Sequence, residues 1–165
     1  MTDDRRQGDL VSLLERLPER LGEPPLAVIF LHDGVIPEER LPLARKAMTM
    51  VQQKGHLFLM ARGEIEGADG SHGMVKRTGL ASQPVHDLAE GMRARRNRAD
   101  IGFISPVFPT RSHPGAAALG PARAGRLARQ VPLPAFALGG ITAENTMRLH
   151  GLPFYGIGVI GAWSG

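Results

Sequence analysis

The sequence has no cysteine, one tryptophan and one tyrosine. Without thiols there is no disulfide framework and no thiolate metal site. The longest purely apolar run, residues 26–31, falls far short of the roughly 20 residues that a membrane span needs. The N-terminus, Met1-Thr2-Asp3-Asp4-Arg5-Arg6, lacks the apolar core of a signal peptide. Apolar residues make up 42% and charged residues 22%, ordinary globular usage that argues against disorder. A length of 165 residues predicts one domain with a real core. The composition fits a cytoplasmic enzyme or binding protein.

Charge is nearly balanced, with 20 basic residues against 16 acidic ones and a net charge of +4. The densest basic stretch is Arg93, Arg95, Arg96 and Arg98. Such a run can hold nucleic acid or be a solvated helix face. No aromatic residue is interleaved with it, which favours the helix face.

Apolar runs rich in β-branched residues alternate with helical segments, the pattern of parallel βα units. Strands are expected at residues 26–32, 57–60, 69–73, 80–84, 101–108, 135–138 and 155–160. Pro37, Glu38 and Glu39 open a helix that stops at Gly55, with proline and acids in its first turn. Leu43, Ala47, Met48 and Val51 share one face of it. Further helices are expected at 86–96, weakened by Gly91, at 121–130 and at 143–149. Residues 9–21 read as an amphipathic helix with Leu10, Leu13, Leu14, Leu17 and Leu21 in its stripe, and no strand is expected before it. The expected fold is α/β: a helical segment over residues 1–25, then a TIM-type (β/α) barrel domain over 26–165. About seven parallel strands make that barrel incomplete, because eight are needed to close one. An open sheet edge invites pairing, so a homodimer is an expectation.

Four ordered segments resemble the thiamin phosphate synthase family. Ser105-Pro-Val-Phe-Pro-Thr110-Arg-Ser-His-Pro-Gly115 is similar to that family's characteristic strand end and loop. Ala137-Leu-Gly-Gly-Ile-Thr-Ala-Glu-Asn145 and Gly158-Val-Ile-Gly-Ala162 resemble its phosphate-binding strand ends, and Gly67-Ala-Asp-Gly-Ser-His-Gly73 resembles an upstream one. The resemblance implies joining of a hydroxymethylpyrimidine diphosphate to a thiazole phosphate, with release of pyrophosphate. It assigns Gly139, Gly140, Ile160 and Gly161 to a phosphate cradle, where backbone N–H groups and a short helix start favour an anion. Tight turning at strand ends is the other reading of these glycines. Thr142 is placed to cap the helix through Asn145. Thr110, Arg111, Ser112 and His113 resemble a lid over the diphosphate, against the alternative of a plain surface loop. Arg111 supplies a fixed charge there.

The departures concentrate upstream. Met60-Ala61-Arg62 stands where the family has Asn-Asp-Arg, and Phe30-Leu31-His32-Asp33 replaces the strand end that grips pyrophosphate. Lys76 falls near another expected acid. The family implies Mg²⁺, yet its usual ligands are absent, and Asp33, Glu64 and Asp69 are weak substitutes. Arg62 keeps the family's cation. Ser82-Gln-Pro-Val-His86 resembles a segment of the related thiazole tautomerases. This makes His86 a candidate acid/base, unless His86 and Asp87 simply begin a helix. Three functions stay open: a synthase using Arg62 and Arg111, a metal-free tautomerase using His86, and a non-catalytic binder of a phosphorylated ligand. His32, His56, His72 and His150 are expected to be surface or structural.

Overall fold

The computed structural model describes residues 2, 10–22, 24–32, 34–75, 78–110 and 117–160. Among the described residues, seven strands are interspersed with helices, and five ladders between consecutive strands are parallel. This is the α/β pattern of a TIM-type barrel, with seven strands among the described residues where eight make a complete one. The chain divides into two compact units, Met1–Leu80 with Ile160–Gly165, and Ala81–Val159.

The first unit holds α1 (Leu10–Glu15), β1 (Ala27–Phe30), α2 (Pro37–Gln53), β2 (Leu57–Ala61) and β3 (Gly70–His72). Its strands pair in chain order, Phe30 with Met60 and Ala61 with His72. β1 and β2 are apolar without alternation because both faces are covered. Phe30, Phe58 and Met60 pack beneath Ala44, Ala47 and Val51 of α2. The small alanines let that helix approach closely.

α1 is shorter than expected. It ends at Glu15, and the chain turns through Leu17 N–H to the Leu14 carbonyl ahead of Pro18. Leu10, Leu13, Leu14 and Leu17 are buried as the stripe predicts, whereas Leu21 is 87% exposed because it lies beyond the helix. Asp9 is outside the described residues. The expectation that no strand precedes α1 is corrected in part: Thr2 makes an isolated parallel bridge with Phe30. Its N–H donates to the Ile29 carbonyl at 2.8 Å. A single residue thus stands beside β1 at the strand position ahead of α1.

The second unit holds β4 (Leu80–Val85) from its second residue on, α3 (Leu88–Arg96), β5 (Ile101–Ile104), α4 (Gly120–Gln130), β6 (Ala135–Ala137), α5 (Ala143–Thr146), a 3₁₀ turn (Met147–Leu149) and β7 (Gly156–Ile157). From Ala81 to Ile157 its ladders again follow chain order. β5 stops four residues earlier than expected. Val107 and Phe108 direct their N–H groups to Leu138 and Gly139 instead of extending the ladder. Gly91 weakens α3 locally but is required by packing, since a Cβ there would lie 2.5 Å from Val131 Cγ1. The basic run is a solvated face: Arg93, Arg95, Arg96 and Arg98 are exposed, and Arg93 pairs with Glu90 at 3.3 Å. Among the described residues, no helix is long and apolar enough to cross a membrane.

His56 shows how the loops of the first unit are fastened. It is 5% exposed. Nδ1 lies 3.2 Å from the Leu26 N–H and Nε2 lies 2.8 Å from the Pro18 carbonyl. Nδ1 accepts and Nε2–H donates, so the ring joins the segment after α1 to the start of β1. His56→Ala strands both backbone groups, and chemical denaturation should show a loss of about 2–4 kcal/mol. A loss below about 0.5 kcal/mol, the usual surface value, would show that water replaces the ring without cost.

Candidate functional site

In α/β barrels, ligands bind at the C-terminal ends of the strands. In the second unit those ends carry Ser105 to Thr110 after β5 and Gly139-Gly140 after β6. Gly139 and Gly140 adopt φ of 93° and 65°, a region only glycine enters cheaply. A Cβ at Gly139 would lie 2.8 Å from Pro106 Cα, and one at Gly140 would lie 2.4 Å from the Pro109 carbonyl oxygen. Close packing therefore demands both glycines, as the tight-turn reading holds. The phosphate reading rests on their N–H groups, which have no hydrogen-bond acceptor among the described residues.

The next turn is braced from its own residues. Asn145 Oδ1 accepts from the Thr142 N–H at 2.9 Å, and Asn145 Nδ2 donates to the Gly140 carbonyl at 2.8 Å. Thr142 and Asn145 form the capping box of α5. The helix expected at 143–149 is one α turn followed by a 3₁₀ turn, so its dipole is small. The glycine turn, rather than the helix start, supplies the donors. The Thr142 hydroxyl also bonds the exposed Glu144 carboxylate and holds it below the usual carboxylate range. It is thus already engaged beside the site. Thr110 is partly buried at the end of the β5 loop, and Ile160 is partly buried beyond β7. Arg111, Ser112, His113 and Gly161 lie outside the described residues.

His86 follows β4 directly. Its side chain is 50% exposed, and Nδ1 lies 2.6 Å from Glu90 Oε2. The same carboxylate oxygen accepts the His86 N–H at 2.8 Å. Asp87 caps α3 by accepting the Glu90 N–H at 2.8 Å. The segment therefore begins a helix, and a carboxylate contacts the imidazole.

Arg62 belongs to the first unit. It follows β2, has a left-handed φ of 51° and is exposed. Its N–H donates to the His72 carbonyl at 3.1 Å. His72 is 8% exposed. Burial first, then the Arg62 charge, lowers its pKa from 6.5 to about 4. Arg40, which the sequence did not single out, reaches the same strand ends from α2. Its Nε donates to the His32 carbonyl at 3.0 Å and its Nη2 to the Ala61 carbonyl at 2.8 Å. Nothing local in the sequence distinguishes Arg40 from the other charged residues of its helix.

The residues here do not fit the Mg²⁺ that the resemblance implies. Met60 and Ala61 are buried and offer no oxygen ligand from their side chains. Asp69 Oδ2 is spent on the Phe58 N–H at 2.8 Å and on Gln52 Nε2 at 2.9 Å. Among the described residues, no three His, Asp or Glu side chains stand together as a metal site. Asp33 and Lys76 lie outside those residues. His32, His56 and His72 are buried and serve structure, while His150 is exposed.

Two outcomes follow from this geometry. His72 stays neutral in the fold down to about pH 4, whereas the unfolded chain takes up its proton near 6.5. Stability should therefore fall as pH drops between those values, by up to about 3 kcal/mol. A His72→Gln chain should lack that component in denaturation curves compared across pH; parallel curves would refute it. Gly140→Ala should displace the β5 loop and abolish phosphate-ester binding in a thermal-shift titration, and unaltered binding would remove the turn from the site.

The family described as Thiamine monophosphate synthase matches residues 74–162. A protein of Aquifex aeolicus (strain VF5), provisionally named thiamine-phosphate synthase 2, is 28% identical over 172 residues, covering 95% of this chain and 91% of that protein. The thiamine-phosphate synthase of Chlorobium luteolum is 32% identical over 140 residues, covering 73% of this chain and 65% of the relative. The solved thiamine phosphate pyrophosphorylase of Pyrococcus furiosus superposes with a TM-score of 0.78 at 20% identity, covering 98% of this chain and 84% of that one. That last likeness is one of fold, and it matches the TIM-type pattern of strands. With more than half of its length matched, the chain belongs to the thiamine monophosphate synthase family.

Proposed function

We propose that this chain acts in thiamin biosynthesis, binding a thiazole phosphate at the turn after β6 and joining it to a hydroxymethylpyrimidine diphosphate. The observation that carries the reading is the Gly139–Gly140 turn, whose two N–H groups lack protein acceptors among the described residues. A phosphate ester supplies the oxygens that such donors need. In the reaction, the bond between the pyrimidine methylene carbon and the diphosphate oxygen breaks, and pyrophosphate leaves with the electron pair. The thiazole nitrogen then forms the new carbon–nitrogen bond. This chain's contribution is to hold the two substrates and to neutralise the departing charge with fixed cations. The roles of Arg111, Ser112 and His113 as a lid belong to this proposal, as does a cytoplasmic setting.

The 2.6 Å contact of His86 with Glu90 favours a second reading, tautomerisation of the thiazole phosphate. The carboxylate fixes Nδ1, and Nε2 is then the ring atom available to move a proton.

A thermal-shift titration with thiazole phosphate tests the shared binding step, and pyrophosphate release tests synthesis. Thiazole phosphate should raise the melting temperature, and adding the pyrimidine diphosphate should release pyrophosphate. Tautomer conversion that is lost in His86→Asn, without pyrophosphate release, would favour the second reading. Binding with neither turnover would make the chain a non-catalytic binder. No stabilisation by thiazole phosphate would overturn all three.

A further inference from the structure

Phe108 meets the glycine turn twice through its backbone. Its N–H donates to the Gly139 carbonyl at 3.0 Å, and its carbonyl oxygen lies 2.8 Å from where a Cβ on Gly140 would stand. The residue is 5% exposed and belongs to the core of the second unit, which also buries Leu149. The Arg148 guanidinium lies over the Phe108 ring, 5.2 Å from its centre, within the range of a cation–π contact. A planar guanidinium also stacks on an aromatic face, which an ammonium cannot do. The residue that packs against the turn is therefore fastened through its side chain as well.

Among the described residues, Arg148 has no carboxylate partner. Glu144, four residues before it, has the spacing at which an acid pairs with a cation on a regular helix. That carboxylate is engaged by the Thr142 hydroxyl instead. The 3₁₀ turn after α5 buries Leu149 and lays the exposed Arg148 over Phe108. Earlier residues of the β5 loop are held by their backbone, since the Pro106 and Val107 carbonyls accept from the Leu119 and Gly120 N–H groups. Phe108 is where that loop meets the turn, and a cation is seated on it.

We infer that Arg148 is a positioning residue for the phosphate turn: seated on Phe108, it holds the β5 loop against Gly139 and Gly140 and keeps their N–H groups set for a phosphate ester. This deepens the function proposed above and rests on it for the ligand. A turn already set binds more tightly, because less ordering remains to be done on association. The contact serves a ligand that carries the phosphate and adds nothing for the same thiazole without it. Calorimetric titration of the full chain with thiazole phosphate and with the unphosphorylated thiazole separates the two.

Arg148→Gln should weaken thiazole phosphate binding about two- to fivefold, the range of a cation–π contact near the surface, and leave the unphosphorylated thiazole unchanged. Arg148→Lys keeps a cation over the ring without the stack, and its affinity should fall between those of Arg148→Gln and wild type. Phe108→Leu removes the ring, so adding Arg148→Gln to it should cost nothing further, as for two partners in one contact. Without ligand, the Gly139 and Gly140 amide signals should shift in NMR spectra of Arg148→Gln. Wild-type affinity in Arg148→Gln, or glycine amides that it leaves unmoved, would overturn the inference. So would an equal loss for both thiazoles. Full affinity in Arg148→Lys together with an additive double variant would overturn it too, by showing that the charge acts without the ring. If Phe108→Leu fails to fold, the Arg148 variants and the glycine amides decide. Should the wild-type chain ignore thiazole phosphate while those amides respond to Arg148→Gln, the proposed function falls and the positioning role stands.

Discussion

The site in the second unit depends on a backbone junction between the β5 loop and the end of β6. Leu138 donates its N–H to the Ile104 carbonyl, and Val107 and Phe108 return bonds to Leu138 and Gly139. These bonds draw residues 106–109 so close to the turn that a side chain at 139 or 140 would overlap backbone atoms. The turn must then be glycine, and its φ values follow. The junction occupies the carbonyls of Leu138 and Gly139 but gives nothing to the N–H groups of Gly139 and Gly140. Partly buried donors without acceptors favour an anion. Packing comes first here, and the phosphate binding proposed for the turn would rest on it.

The first unit meets the opposite requirement. Carbonyls left at the ends of β1 and β2 need donors, and Arg40 supplies both from one planar group. Satisfying those carbonyls brings a positive charge to the strand ends. The buried imidazole of His72 cannot take up a second charge there except at low pH. The strand ends of the two units thus differ: in one, the Gly139 and Gly140 N–H groups have no acceptor among the described residues, and in the other a guanidinium pairs the carbonyls.

Much of this was legible in the sequence and some was not. Continuous apolar runs such as residues 57–60 mark strands covered on both faces, and the structure extends that one by a single residue to Ala61. The glycine pair at 139–140 and the capping residues Thr142 and Asn145 announce the turn after β6 through local chemistry. Boundaries moved where a distant partner decides them. β5 stops at Ile104 because its following N–H groups bond to the β6 end, a contact that no local pattern encodes. Leu21 fits the helical stripe of α1 but lies beyond Pro18, which ends it. Arg40 and Thr2 were missed for the same reason: each acts through a hydrogen bond to a residue more than twenty positions away. The buried histidines carry no local mark of whether they are buried or exposed, and their partners alone reveal it.

Loss of metal ligands need not remove the capacity to handle a leaving diphosphate, provided that the charge is met otherwise. Mg²⁺ concentrates two charges at one point but requires hard oxygen ligands held in a near-octahedral set. Met60 and Ala61 cannot contribute side-chain oxygen, and Asp69 is committed to the backbone at the start of β2. Guanidinium groups make a different demand. They need a planar fork held at a fixed angle, and they remain charged at any physiological pH. An arginine anchored by two carbonyls meets the geometric part of that demand through the backbone alone. The two solutions draw on different groups, side-chain oxygens for the metal and backbone carbonyls for the guanidinium. On that argument, Met60, Ala61 and the Arg40 fork belong to one arrangement, in which the strand ends carry the positive charge themselves.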